Sequence, residues 1–198
     1  MNLDIPTRAF AGYIFDCDGT IADSMPLHYR AWSAAMQAMG GQFPEPLYYE
    51  WGGMPSDVIV AKLNGLFSLN LNVAETVRRK ESAYLECVHE VGPVAPVLEF
   101  ARNLQNKSPM AIASGGHREL VEATLTALEI IGMFDAIVCA EDYKNGKPAP
   151  DPYLEAARRL GVPSGECLVF EDTPTGVEGA RAAGMECVLV PTAERTRN

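Results

Sequence analysis

Short apolar runs alternate with amphipathic stretches along the chain, and this alternation predicts a parallel sheet flanked by helices. The predicted strands are Gly12–Asp16, Met110–Ser114, Ala136–Ala140, Cys167–Glu171 and Cys187–Val190. After the second strand, the helices between strands are predicted at Arg118–Leu128, Pro152–Leu160 and Pro174–Ala183. The pattern therefore indicates an α/β fold built on a parallel sheet.

The segment between the first two predicted strands is far longer than an ordinary crossover. It holds no evident strand, and its apolar spacing predicts helices at Pro26–Met39, Ser56–Leu66 and Asn72–Glu90. Ser24 and Ser56 are the expected N-caps, and Gly40-Gly41 is expected to end the first helix. We therefore expect residues 24–91 to form an inserted helical domain, with 1–23 and 92–198 forming the sheet domain.

Composition narrows the classes of partner. The chain has 198 residues, of which 47% are hydrophobic, and a net charge of −10, which argues against a broad electrostatic grip on nucleic acid. No apolar run is long enough to span a bilayer, and the N-terminus lacks a signal-peptide pattern. Five scattered cysteines without a CxxC pair predict reduced thiols and a cytoplasmic protein. The polar tail Ala193–Asn198 is expected to fray.

Two aspartates follow the first predicted strand, in Phe15-Asp16-Cys17-Asp18-Gly19-Thr20. In open α/β sheets, ligands bind at the carboxyl ends of the strands. Two ionised carboxylates this close repel each other and need a shared proton or a cation, and Mg²⁺ prefers oxygen ligands. Taken alone, such a pair is more often a simple acidic turn, so the later strands decide between the two interpretations.

Two later loops carry groups suited to an anion. Ser114-Gly115-Gly116 follows the second strand and offers a hydroxyl and backbone N–H groups that can hold a phosphate; the alternative is an ordinary serine N-cap. Lys147 lies in Asn145-Gly146-Lys147-Pro148-Ala149-Pro150-Asp151-Pro152. The prolines stiffen this loop, which suits an ammonium aimed at a fixed anion, although most lysines lie at the surface.

The fourth predicted strand also ends in carboxylates, at Glu171 and Asp172. Asp172 alone is explained as the N-cap of the helix that begins near Pro174. Two acidic strand ends in one sheet are harder to explain separately, because each carboxylate needs a partner for its charge. A divalent ion shared between Asp16 and Asp172 satisfies both.

Jointly, these four motifs resemble the signature of the haloacid dehalogenase superfamily, over essentially the whole chain: Asp16-x-Asp18-Gly19-Thr20, Ser114, Lys147-Pro148-x-Pro150 and Glu171-Asp172. Other segments resemble its β-phosphoglucomutase-like group, and within it the bacterial fructose-1-phosphate/6-phosphogluconate phosphatases: Asp23, His28-Tyr29-Arg30-Ala31-Trp32, the Lys147 loop and Val169-Phe170-Glu171-Asp172 with Gly176. The resemblance implies a Rossmann-like core with an inserted four-helix cap, in agreement with the insertion predicted above.

The resemblance also implies a reaction and its residues. Asp16 would attack phosphorus and form an aspartyl-phosphate, while Asp18 would serve as general acid and then general base. Lys147 would offset charge on Asp16 and the phosphate. Mg²⁺ would bind Asp16, the Asp18 carbonyl and Asp172. Glu171 would either coordinate the ion directly or contact it indirectly, through one of its ligands. Phosphate contacts are implied at a set of hydroxyls and N–H groups: Thr20, Ser114, Gly115 and the Asp18-Gly19 amides.

The inserted domain is expected to choose the substrate. The resemblance implies substrate contacts at His28, at Gly53 within Trp51-Gly52-Gly53-Met54-Pro55-Ser56, and at Lys80. For His28 the alternative is packing beside Trp32, and for Lys80 it is an exposed helix lysine. The mutases of the group carry a basic residue just after the glycine that corresponds to Gly53, whereas this chain has Met54-Pro55-Ser56-Asp57.

The sequence therefore predicts a Mg²⁺-dependent phosphatase for a small phosphorylated sugar or sugar acid, acting as a monomer. One alternative is a β-phosphoglucomutase-like isomerase, disfavoured by the missing basic residue. A second is a catalytically silent ligand-binding domain, disfavoured because Asp16, Asp18, Lys147 and Asp172 are all present. A phosphoacceptor signalling domain shares the acidic pocket but needs neither Asp18 nor the long insertion.

Overall fold

The computed structural model describes residues 3–191, so the tail that is expected to fray lies outside the described residues. The chain divides into two compact units. One contains the residues up to Asp23 together with those from Gly92 onward, and the other is Ser24–Val91. Each unit is built around its own hydrophobic cluster, so each is described separately.

The first unit contains the strands of the described chain. In chain order they are β1 (Gly12–Phe15), β2 (Ala22–Asp23), β3 (Gly92–Pro93), β4 (Met110–Ala113), β5 (Ala136–Val138), β6 (Cys167–Glu171) and β7 (Glu186–Leu189). The helices along the whole described chain are α1 (Met25–Ala38), α2 (Glu45–Glu50), α3 (Ser56–Phe67), α4 (Val73–Cys87), α5 (Ala95–Leu104), α6 (Arg118–Ala127), α7 (Asp151–Leu160) and α8 (Pro174–Ala182). Of these, α5 to α8 belong to the first unit.

The main sheet has the strand order β5-β4-β1-β6-β7 and is parallel throughout. Because the chain moves from β1 to β4 on one side and later to β6 on the other, the strand order reverses at β1. Such a reversal opens a crevice at the carboxyl ends of the two strands, where ligands bind. The predicted Rossmann-like α/β fold is confirmed.

Apolar side chains on both faces of the sheet explain why helices cover both sides. Ile14 and Val169 lie on one face in a cluster with residues of α7 and α8. On the other face the Phe15 and Phe170 rings stack with centroids 4.9 Å apart, and Phe100 of α5 packs against Phe170 at 5.0 Å. The core is therefore a three-layer structure that leaves only the strand ends open for chemistry.

The second unit consists of α1 to α4 followed by a short 3₁₀ helix, Val88–Glu90. Its core is an aromatic-rich cluster that includes Trp32, Met36, Phe43, Trp51 and Leu63. Arg30 and Glu90 form a two-pronged ion pair at 2.6 and 2.7 Å. Four α-helices are the number that the family resemblance implies for a cap.

Several sequence-based boundaries were wrong. Most of the predicted strands extend one or two residues beyond the observed ends. Residues 17–109 do contain paired strands, since β2 pairs with β3 in an antiparallel ladder. Ser56 is not an N-cap: it is the first residue of α3, and Pro55 precedes it as the cap. The helix predicted over Asn72–Glu90 begins after Asn72, whose side chain accepts from the Glu75 N–H at 3.0 Å, and its α-helical part ends at Cys87.

Two helices, α2 and α5, were not predicted at all. Each has a proline in its first turn, which favours a helix start but is equally typical of a loop. Among the described residues, no helix has both the length and the apolar character needed to cross a membrane.

Candidate active site

Two neighbouring strands, β1 and β6, bring the acidic motifs together. The Asp16 N–H donates to the Phe170 carbonyl at 3.0 Å, which continues the pairing of the two strands one residue beyond Phe15. Asp16 therefore lies beside the Glu171-Asp172 pair at the point where the strand order reverses. All three carboxylates are buried, with 1–6% of each residue exposed.

Lys147 connects the two acidic motifs. Its Nζ donates to Asp16 Oδ1 at 2.5 Å and to Glu171 Oε1 at 2.7 Å. Only 11% of its side chain is exposed, so this lysine is held in the interior and is not an ordinary surface residue. The stiff loop predicted from the prolines does deliver an ammonium to the first strand end.

Glu171 is surrounded by donors. Oε1 accepts from Lys147 and from the Tyr153 hydroxyl at 3.2 Å. Oε2 accepts from the Thr173 N–H at 2.6 Å and from its hydroxyl at 2.8 Å. A carboxylate has about four lone-pair sites, so these contacts use its accepting capacity and fix its orientation.

Asp172 is held by a different set of contacts. The Thr20 hydroxyl donates to Asp172 Oδ1 at 3.1 Å, and Thr20 itself is fully buried. Gly19 has φ +83°, and a Cβ at this position would lie 2.5 Å from Asp172 Oδ2. Gly19 thus allows both the left-handed turn and the approach of the Asp172 carboxylate.

Charge and burial oppose each other in this cluster. Burial raises the pKa of Asp16 well above its usual range; Lys147 opposes this, and the neighbouring Glu171 and Asp172 add to the rise. Burial would lower the pKa of Lys147, but the Asp16 and Glu171 carboxylates outweigh it and raise that pKa well above the usual range. Burial would likewise raise the pKa of Glu171, yet Lys147 and the Thr173 hydrogen bonds lower it.

The donor set fits a divalent metal ion. Ligand oxygens of Asp16, Glu171 and Asp172 lie within 4.8 Å of one another, and the Lys147 ammonium pairs with Asp16 and Glu171. When all are ionised, negative charge is in excess, which makes a buried cluster costly unless a cation is present. Oxygen-only ligands suit Mg²⁺.

A turn after β4 forms a second part of the site. The Gly116 N–H donates to Ser114 Oγ at 3.0 Å, the Ser114 N–H donates to Val138 O at 2.9 Å, and the Tyr143 hydroxyl donates to Ser114 O at 3.0 Å. Burial raises the pKa of Tyr143 to about 12, so its hydroxyl remains a donor at neutral pH. Ser114 Oγ accepts from the Gly116 N–H, and a serine hydroxyl that accepts one hydrogen bond can also donate one.

Asp18 lies near this turn. A Cβ on Gly116 would lie 3.3 Å from Ser114 Oγ and 3.8 Å from Asp18 Oδ2, which places the two side chains around one small space. The Gly19 N–H, one of the implied phosphate contacts, donates to the Ala22 carbonyl at 2.8 Å, so this amide already has a partner within the protein.

Three predicted substrate contacts, His28, Gly53 and Lys80, lie in the second unit. His28 stacks on Tyr84 with ring centroids 3.9 Å apart, and Gly53 is exposed with φ +83°. Lys80 is only 6% exposed, and its Nζ lies 5.9 Å from the Trp32 ring and 5.8 Å from the Tyr84 ring. The alternative of an exposed helix lysine is therefore wrong.

Sequence reasoning missed Tyr143, Tyr153 and Thr173 as members of the site. Tyr153 falls on the apolar face of α7 among buried alanines, so its sequence context is typical of a core aromatic. Nothing in the local pattern shows that its hydroxyl meets Glu171, which is distant in sequence. For Thr173, the cap position before Pro174 was a usable signal.

Gly176→Ala is expected to destabilise the protein by about 3 kcal/mol and to lower any activity of the site. A Cβ at this position would lie 1.9 Å from Glu171 Cδ, so the carboxylate would have to leave its four donors. Thermal unfolding and denaturant titration measure the change. The matched control is Gly132→Ala, where the added Cβ meets nothing within 4 Å; equal stabilities for the two variants would contradict the prediction.

The fold and site define a Rossmann-like α/β protein with an acidic, lysine-containing centre at the strand-order reversal. Residues 13–190 match the haloacid dehalogenase-like hydrolase family. The chain belongs to this family, and the resemblance drawn from its four motifs is confirmed.

Individual relatives are similar along most of their length. The fructose-1-phosphate phosphatase YqaB of Escherichia coli is 35% identical over 91% of this chain and 96% of that protein. A phosphorylated carbohydrates phosphatase of Thermotoga maritima is 32% identical over 87% of this chain and 81% of that protein. The solved β-phosphoglucomutase of Clostridium difficile has a TM-score of 0.80 at 24% identity, covers 95% of this chain and 87% of its own, and shows the shared fold.

Proposed function

We propose that this protein is a Mg²⁺-dependent phosphatase of a small phosphorylated sugar or sugar acid, acting through an aspartyl-phosphate. The observation that carries the proposal is the contact of Lys147 Nζ with Asp16 Oδ1 at 2.5 Å, beside Asp172 at the strand-order reversal. A carboxylate beside an ammonium and an acidic cluster is suited to attack on phosphorus. Two relatives named as sugar-phosphate phosphatases support the substrate class.

In the first step, an Asp16 carboxylate oxygen forms a bond to phosphorus and the bond from phosphorus to the sugar oxygen breaks. Asp18 donates the proton that the leaving sugar oxygen takes up. In the second step, Asp18 accepts a proton from water while the water oxygen attacks phosphorus. The bond to Asp16 breaks, which releases inorganic phosphate and restores both carboxyl groups.

Lys147 supplies a fixed positive charge for both steps. Its raised pKa keeps it protonated at neutral pH, and its position between Asp16 and Glu171 needs no rearrangement before the reaction. Such preorganised charge is usually the largest electrostatic contribution to catalysis. The Ser114 hydroxyl and the Gly115 N–H are the proposed donors to the phosphate.

Mg²⁺ would be held by Asp16, Asp172 and the main-chain carbonyl of Asp18. When bound, it supplies positive charge that offsets the phosphoryl oxygens and the clustered carboxylates. Glu171 has four hydrogen-bond donors on its two oxygens, so we assign it to Lys147. Thr20, predicted as a substrate contact, instead orients Asp172 in this proposal, through the bond described above.

Substrate choice is assigned to His28, Gly53 and Lys80 of the second unit, on the strength of the family resemblance. An isomerase of this kind must bind a second phosphate group, and residues 54–57 contain no lysine or arginine that could bind it. The silent-domain alternative is disfavoured because the acidic and lysine residues are in contact with one another. A cytoplasmic, monomeric protein remains a prediction from the sequence.

Phosphate release from a panel of sugar phosphates tests the proposal. We expect Mg²⁺-dependent release from one or two of fructose 1-phosphate, 6-phosphogluconate and β-glucose 1-phosphate, abolished by EDTA. The Asp172→Asn variant should lose most of this activity because it removes a proposed metal ligand. Conversion of β-glucose 1-phosphate to glucose 6-phosphate only when glucose 1,6-bisphosphate is added would establish the isomerase instead, and inactivity on the whole panel would favour the silent domain.

A further inference from the structure

Tyr153 is a buried tyrosine whose hydroxyl points into the charged cluster. It is 0% exposed and packs in the main hydrophobic cluster with Ala156 and Ala157 of α7. A phenylalanine would satisfy this packing, and burying a hydroxyl is costly unless it is hydrogen-bonded. The hydroxyl donates to Glu171 Oε1 at 3.2 Å, so its partner is a carboxylate of the candidate site.

The same Glu171 oxygen accepts from Lys147 Nζ at 2.7 Å. Tyr153 also contacts the ammonium directly, since Nζ lies 5.2 Å from the centre of the tyrosine ring, within the range of a cation–π interaction. Tyr153 is thus linked to Lys147 in two ways: its ring faces the ammonium, and its hydroxyl donates to the same Glu171 oxygen.

The Tyr153 hydroxyl affects where the Lys147 ammonium lies between its two carboxylate partners. Lys147 divides its donors between Asp16 and Glu171, while the remaining Glu171 oxygen is fixed by Thr173. The Tyr153 hydroxyl supplies one of the two hydrogen bonds that Glu171 Oε1 accepts, and Lys147 supplies the other. Removing the hydroxyl leaves Oε1 with Lys147 as its donor, which pulls the ammonium toward Glu171 and away from Asp16.

We propose that Tyr153 is a positioning residue that holds the Lys147 ammonium against Asp16. The inference rests on the proposed function for its kinetic consequence, but the placement of the ammonium is a property of the protein alone. Tyr153 does not touch the reacting atoms; it acts through Glu171 and Lys147.

The test uses Tyr153→Phe, which keeps the ring and removes the hydroxyl. The matched control is Tyr48→Phe, which removes another buried tyrosine hydroxyl, one that donates to the Met25 carbonyl at 3.0 Å in the second unit. The first readout is the Lys147 ammonium resonance in protein labelled with ¹⁵N-lysine, assigned by its loss in Lys147→Arg. The second is kcat and KM on whichever panel substrate the wild type hydrolyses fastest.

We expect Tyr153→Phe to shift or broaden the Lys147 resonance, and to lower kcat about tenfold with KM within about twofold, because a hydrogen bond to a charged group is lost. Tyr48→Phe should change neither. An unchanged resonance in Tyr153→Phe overturns the inference whatever the turnover, and so does a shifted resonance with unchanged kcat. A wild type that releases no phosphate rejects the proposed function but leaves the resonance to decide the placement of the ammonium.

Discussion

Asp16→Asn is expected to lower phosphate release by on the order of 10⁴-fold while the protein stays folded. The amide is nearly the same size as the carboxylate, so the buried position keeps its packing, and its oxygen can still accept from Lys147. What it loses is the proposed anionic nucleophile, and under the proposed mechanism no neighbouring residue can form the covalent bond in its place. Steady-state phosphate release measures the first effect, and the melting temperature measures the second.

The melting temperature of Asp16→Asn should equal or exceed that of the wild type in metal-free buffer. Burial raises the pKa of Asp16, and Glu171 and Asp172 add to this, so ionised Asp16 is held at a cost. Removing one of three buried carboxylates relieves repulsion between them.

Mass spectrometry of acid-quenched wild type should also find a phosphoryl group on the Asp16 peptide, and none on that of the variant.

Asp135→Asn is the matched control for this change. Asp135 accepts from the Met110 N–H at 2.9 Å, at the start of β4 and therefore at the opposite edge of the sheet. It should keep wild-type turnover. If Asp16→Asn also retained most of the wild-type rate, the covalent mechanism would be excluded.

The parts of the site that were predictable from sequence are those that follow directly from strand ends. Asp16, Ser114 and Glu171 each come at the end of an apolar run, and parallel strands place their carboxyl ends at one edge. Once the runs were recognised as strands of one sheet, their meeting at this edge followed. Lys147 was predictable for a different reason, since its prolines mark a loop with little freedom.

What escaped prediction depends on contacts between residues distant in sequence. The hydroxyl of Tyr153 has no pattern of its own, because a tyrosine and a phenylalanine occupy an apolar helix face equally well. Two of the four donors on Glu171, from Lys147 and Tyr153, likewise become visible only when β6, α7 and the Lys147 loop are assembled. This is why the sequence assigned Glu171 to the metal, whereas the assembled contacts support a role in holding Lys147.

The two helices that were not predicted, α5 and α2, were missed for local physical reasons. Helix α5 has buried residues Val97, Leu98 and Ala101 at helical spacing, but Pro96 made its start resemble the loop after Gly92. Helix α2 spans only six residues, too few for periodicity to be decisive. Neither omission affected the predicted site, because neither helix carries one of its residues.

Lys147→Met is expected to lower turnover about 10²- to 10³-fold, the effect typical of losing one preorganised charge-stabilising group. The same change should destabilise the protein by about 3 kcal/mol at neutral pH in metal-free buffer, because Asp16 and Glu171 then lie buried without their counter-charge. Methionine is unbranched and flexible, so it fills the space of the lysine chain. Lys144→Met, at an exposed lysine of the same loop, is the matched control and should change neither quantity.

For Lys147→Met, the pH dependence of the free energy of unfolding separates a loss of charge from a loss of packing. In the wild type, Lys147 lowers the pKa of Glu171 below its ordinary 4.5, so the pair stabilises the fold above that pH and loses its contribution as the pH falls further. The raised pKa of Lys147 keeps the contribution on the alkaline side until the pH passes the ordinary 10.5. The stability difference between wild type and Lys147→Met should therefore be largest between these limits and shrink on acidification.

Denaturant titrations at several pH values measure this difference. A loss of packing alone would give a difference that does not vary with pH, and that result would remove Lys147 as the counter-charge of the acidic cluster. Added Mg²⁺ provides a second discrimination. If the carboxylates are what destabilises Lys147→Met, the ion should stabilise the variant more than the wild type, because it binds the folded cluster and replaces the missing positive charge.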